Sequence, residues 1–131
     1  MRQRAMYAEP NVPFIEKWRK AMGFIDVDLQ AGYPKIWFEL HAMSWNRPEF
    51  RDRLQHVLEQ WDVVLTGAVD TAMREYGIDR NKFPPHAVSA LVRTFNLGLL
   101  LERLAGADVG HRELLAMIDD MLRRFERKRK P

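Results

Sequence analysis

Between Pro48 and Tyr76 the apolar residues Phe50, Leu54, Val57, Leu58, Trp61, Val64, Leu65, Ala68, Val69, Ala72 and Tyr76 recur at steps of three and four. Such spacing keeps side chains on one face of an α-helix, whereas a strand would throw them alternately to opposite faces. At 1.5 Å per residue the segment reaches roughly 40 Å, long enough to be the spine of a domain. Gly77 follows it as a good helix-ending residue. Whatever else the chain builds must be laid along this element.

The other segments share the period. A first helix is expected from about Phe14 to Gln30, with Asn11 and Pro13 as start signals, Ile15, Trp18, Met22, Ile25 and Leu29 as its stripe, and Gly32 and Pro34 at its close. A second, within YPKIWFELHAMSWN (33–46), stacks Ile36, Leu40 and Met43 beside a stripe of Trp37, His41 and Trp45. Together these cover roughly 200° of the circumference, more than a surface helix needs, so burial on two sides is expected. Asn46 and Glu49 resemble a capping box for the long helix, with Pro48 in its first turn. After the loop GIDRNKFP (77–84), Pro84 and Pro85 start a helix of about His86 to Leu104. It is apolar on two opposed faces: Val88, Leu91, Val92, Phe95 and Leu99 against Ala90, Leu97, Leu100, Leu101 and Leu104. It should therefore be sandwiched, and Gly98 within it suggests close approach by another backbone, from the same or another subunit. A last helix, about His111 to Arg127, presents Leu114, Leu115, Met117, Ile118, Met121, Leu122 and Phe125. The expected fold is an all-α antiparallel bundle of about five helices forming a single domain over residues 1–131.

Composition narrows the class. A chain of 131 residues, 47% hydrophobic and 30% charged, suits an ordinary globular domain. With no cysteine there is no disulfide framework and no thiolate metal site, which fits a cytoplasmic setting. No apolar run approaches a membrane span, and the N-terminal MRQRAMYAEP lacks a signal-peptide core. The pI near 9.4 arises largely from residues 123–131, where RRFERKRK places six basic groups beside one acidic group. Such a tail can hold phosphates without sequence preference. Its simpler role is to solvate a helix end and complement the helix dipole.

Catalytic signals are poor. His41, His56, His86 and His111 each lack the glutamate three residues earlier that helical di-iron sites use, and no His-Glu-x-x-His, phosphate loop or nucleophile elbow occurs. No enzyme activity, metal or cofactor is expected. His41, between Trp37 and Trp45, is either a polar anchor in an apolar ligand pocket or a core histidine satisfied by a carbonyl. The tryptophans carry the same two readings. The apolar perimeter of the last two helices exceeds what one bundle of this size needs, so a homodimer is expected, with both helices at a two-fold axis.

The stretches GYPKIWFELHAMSWNRPEFRDRL (32–54), LEQWDVVLTGAVDTAMREYGI (58–78), PPHAVSALVRTFNLGLLLERLAG (84–106) and HRELLAMIDDMLRRF (111–125) resemble, in order and spacing, the C-terminal domain of the tetracycline-repressor family of bacterial transcriptional regulators. The likeness extends over about residues 12–126. It implies a domain that binds a small hydrophobic or aromatic effector and dimerises. Candidate ligand residues are Trp37, His41, Trp45, Trp61, Leu65 and Phe95. Candidate interface residues are Val88, Leu91, Phe95, Gly98, Leu99, Leu114, Ile118, Met121, Leu122 and Phe125. The family's helix-turn-helix cannot be placed in MRQRAMYAEPNV, so direct sequence-specific DNA binding by this chain is not expected. The chain is then either a fragment or truncated reading frame of a regulator, or a free-standing effector domain. From a different class, it could be a dimerisation module with a filled core and no ligand.

Overall fold

The computed structural model describes residues 6–129, which are helical throughout apart from turns and loops. After a helical turn at residues 6–8 come α1 (Phe14–Ala31), α2 (Tyr33–Ser44), α3 (Pro48–Tyr76), α4 (Pro85–Leu104) and α5 (His111–Arg129). None of them is both long and apolar enough to cross a membrane. The all-α bundle expected from the periodicity is the fold observed.

Local chemistry explains most boundaries. Gly32, at φ 84°, takes the left-handed conformation that ends α1 and turns at once into α2. Gly77, at φ 68°, ends α3; its N–H donates to the Arg74 carbonyl and the next amide, of Ile78, donates to the Met73 carbonyl at 2.9 Å. Those two bonds satisfy carbonyls that the last turn would otherwise strand. The expected capping box does not form. Arg47, in extended conformation, is the residue before α3 and its side chain makes no capping bond. Asn46 sits instead in the turn, its amide donating to the Met43 carbonyl.

α3 is the spine: α1, α2, α4 and α5 all pack on it. α4 and α5, although joined by the short loop 105–110, are not packed side by side. Two clusters form the core, and α1 lies between them. On one side Ala21 packs with Tyr7, Trp61, Leu65, Ala68, Val69 and Met73. On the other, Ile15 and Trp18 pack with Leu122 of α5, supported by Leu115, Ile118 and Phe125. Phe14 and Met22 touch both clusters.

Polar ties set the register of helices on the spine. Asp62 of α3 accepts hydrogen bonds from the hydroxyls of Ser89 and Thr66 and from Arg93, at 3.3, 3.3 and 3.0 Å, which fixes α4. Tyr76 stacks on Phe125 with ring centres 5.4 Å apart and donates its hydroxyl to Glu126 at 2.7 Å, which fixes α5. Arg19 completes the seam between α1 and α5 with two bonds to the Asp119 carboxylate.

Two expectations about burial fail within one copy of the chain. α2 is covered on one side alone: Pro34 and Ser44 are buried, while Ile36, Leu40 and Met43 face solvent. α4 is likewise packed along one face, with Leu91, Leu101 and Leu104 outside. Periodicity measures how wide an apolar arc is; it carries no information on whether the chain has another element to lay over it.

Candidate functional site

The six residues expected to line a pocket do not converge. Trp61 and Leu65 fill the first core cluster, and Trp45 projects into solvent at 71% exposure. Trp37 and His41 meet edge to face at 4.8 Å, one helical turn apart. His41 Nδ1 donates to the Trp37 carbonyl at 2.8 Å, so this imidazole is satisfied by its own helix. Phe95 is half-buried on α4.

Space for a ligand lies elsewhere. A half-open groove of about 620 Å³ runs between residues 7–14 with Lys17 and one face of α3, where Val63, Gly67, Thr71 and Glu75 follow one another at helical spacing. Its outer wall is stiff. Pro10 and Pro13 fix their own backbone, and Asn11 between them adopts φ 61°, a left-handed conformation that asparagine tolerates better than most residues. The opposite wall is low because its side chains are small, and a Cβ added at Gly67 would meet nothing within 4 Å.

Polar groups make up about half of the groove's lining. Lys17 is buried at 8% exposure and its ammonium donates to the Tyr7 carbonyl at 2.9 Å. Burial pushes the lysine below its ordinary pKa, against the opposing attraction of Glu9 and Glu75. Tyr7 is 1% exposed, stands 6.0 Å from Phe14 and 5.9 Å from Trp61 between ring centres, and its hydroxyl finds no hydrogen-bond partner. Burial raises that phenol well above its usual range, so it stays neutral. Helical periodicity carries no sign of this groove, because its outer wall is an irregular segment; the run of small residues around Gly67 was the available hint.

A second cavity, about 560 Å³, opens where the loop 105–110 meets α1. There His111 is buried and bonded through Nε2 to Glu102 at 2.6 Å, with Nδ1 left without a partner, while Arg103 pairs with Asp26. Among the described residues no cluster of three or more histidine or carboxylate side chains is arranged to hold a metal ion.

The ten residues expected at an interface divide by direction. Leu99 and Leu122 are buried within the chain, Val88, Ile118 and Phe125 pack against its clusters, and Phe95 and Leu114 are half-buried. Leu91, Gly98 and Met121 point out, joined by Leu101, Leu104 and Met117. No neighbour lies within 4 Å of the Cβ position at Gly98, so this glycine serves no close packing inside the chain. The basic segment is also helical as far as Arg129, where Arg123 and Arg124 pair with Asp119 and Asp120 one turn earlier. Lys130 and Pro131 lie outside the described residues.

Comparison with known proteins finds no matching family model, no matching curated protein and no matching solved structure.

Proposed function

We propose that the chain is a non-enzymatic, self-associating effector-binding domain of tetracycline-repressor type, with its effector seated in the groove between residues 7–17 and α3. The groove carries this reading. Its volume of about 620 Å³ falls in the range of small-molecule sites, roughly 300–1,000 Å³, and its lining sets apolar groups such as Val63, Val64 and Ala68 beside polar ones such as Glu9, Lys17 and Glu75 in about equal share. The resemblance in helix order supplies the regulatory role: in a larger protein, a ligand that favours one arrangement of α1 on α3 would shift the balance between two conformations. Trp61 touches the groove through Tyr7 and serves as the reporter. Titration with a panel of hydrophobic compounds should give saturable changes in tryptophan emission, together with a rise in melting temperature by mass action. If no compound moves either signal, the effector role is lost.

Self-association rests on the outward face of α4. Leu91 is 67% exposed and Leu101 53%, and with Gly98 they occupy one arc of the helix. A mid-helix glycine costs up to about 1 kcal/mol relative to alanine, and nothing inside the chain explains its presence here. Contact with a second copy would.

A second reading, a dimerisation module with no ligand, is favoured by the filled cluster around Trp61 and Leu65. It predicts association without any response to small molecules.

A further inference from the structure

We propose that residues 6–13 form a strap that swings off α3 while the helices stay folded, with Tyr7 as its latch. Closing the strap builds the outer wall of the groove and opening removes it. The strap's own packing carries this inference, so it stands or falls apart from the reading of the groove as an effector site.

The strap is held to the bundle at its first two residues. Met6 and Tyr7 are buried in the cluster of Trp61, Leu65 and Ala68, whereas Ala8, Glu9, Pro10 and Asn11 lie exposed. Tyr7 supplies most of the hold, with its ring set near Phe14 and Trp61, yet it is an imperfect fit. Its hydroxyl is buried with no hydrogen-bond partner. A hydroxyl in that position has given up water without a replacement, and it recovers water as soon as the ring leaves the core. The same contact constrains Lys17. Its ammonium can donate three hydrogen bonds and reaches the Tyr7 carbonyl at 2.9 Å, while burial opposes its charge. Both polar groups of the latch are therefore better hydrated when the strap is open, and the apolar contacts of Tyr7 and Met6 oppose them.

Asn11 supplies the hinge. Its φ of 61° lies in the left-handed region, between two prolines whose own φ is fixed. Return of this one residue to an ordinary negative φ redirects residues 6–10 away from α3. No long helix has to unwind, because α1 begins at Phe14. Segments with few buried contacts are the ones that open locally below the cost of global unfolding, and the strap sets two buried side chains against the long faces of α1 and α3.

Chymotrypsin reads the open form, since the bond between Tyr7 and Ala8 can be cut only after the Tyr7 ring has left the core. The full chain is treated with the protease in buffer and in mild urea, the first cut is located by mass spectrometry, and each rate is divided by that of the same chain fully unfolded. That ratio follows the open population when closing is fast. The first cut should fall between Tyr7 and Ala8, at a rate that hardly changes with urea because little surface is exposed on opening. Tyr7→Phe keeps the cleavage site and removes the unpartnered hydroxyl, so it should slow the cut about fivefold or more. Asn11→Ala, at an exposed position outside both clusters, tolerates a positive φ less well and should speed the cut about fivefold. Three results overturn the strap: a rate that climbs with urea as steeply as global unfolding, a first cut elsewhere in the chain, or a rate unmoved by either substitution. Titration of the groove with hydrophobic compounds is read separately and decides the effector role alone.

Discussion

Leu65 and Leu91 are the same side chain in the same fold with opposite surroundings, 1% and 67% exposed. Leu65→Ala removes buried methyl groups from the cluster around Trp61 and should cost about 2–5 kcal/mol in chemical denaturation. Leu91→Ala should change the stability of the isolated chain by less than about 0.5 kcal/mol. Equal effects would mean that the core is misassigned. Asp119 has a pH signature. The hydrogen-bonded Arg19 guanidinium holds its carboxyl below the usual carboxylate range, so the pair's contribution is fully present above about pH 4 and is lost as pH falls through the depressed value. Solvent screens the pair, which limits its worth to about 1 kcal/mol. Asp119→Asn should therefore lower the melting temperature slightly at neutral pH and converge with the parent near pH 2. A constant gap across that range would show that the ion pair is not the cause. At this scale the sequence was partly readable. It showed that His41 and the tryptophans sit on apolar arcs, but whether an arc meets core, groove or water depends on long-range packing. The Trp37 carbonyl that satisfies His41 illustrates the point, since the bond is local yet the exposure of nearby Trp45 is not.

Among the elements, those with punctuation were the most legible. Gly32 and Gly77 mark the ends of α1 and α3 because few other residues accept a positive φ without strain, and the prolines that open the first turns of α3 and α4 mark their starts. The Asn46 and Glu49 cap was misread because its sequence pattern needs Asn46 to be the last non-helical residue, and that position belongs to Arg47. α2 and α4 were read as covered on two sides when one side of each is open. Gly98 turns this into an experiment. A Cβ there meets nothing, and the helix gains by replacing glycine, so Gly98→Ala should stabilise the fold by about 0.5–1 kcal/mol. Gly98→Leu keeps the helix and adds bulk to its outward face. If α4 docks closely on a second copy, the leucine variant should weaken association by tenfold or more in a dilution series, as overpacking does in cores at about 1–3 kcal/mol. Unchanged association would move the interface to another helix.

The whole molecule exposes 8883 Å². A compact monomer of 15.5 kDa is expected to expose about 7,200 Å². The excess is larger than the roughly 800 Å² that each partner gives up in a stable protein interface, and much of the exposed apolar surface falls on α2, α4 and α5. One copy of this chain thus exposes more surface than the size of the domain explains, and the proposed second copy would cover the open face of α4. Sedimentation equilibrium of the parent chain and of Leu91→Lys/Leu101→Lys, both substitutions on the exposed arc, separates the possibilities. The parent should sediment at twice the 15.5 kDa chain mass and the double variant, with unchanged helicity, at the chain mass itself. A parent that stays monomeric at every concentration, or a variant that dimerises as readily as the parent, contradicts self-association through α4.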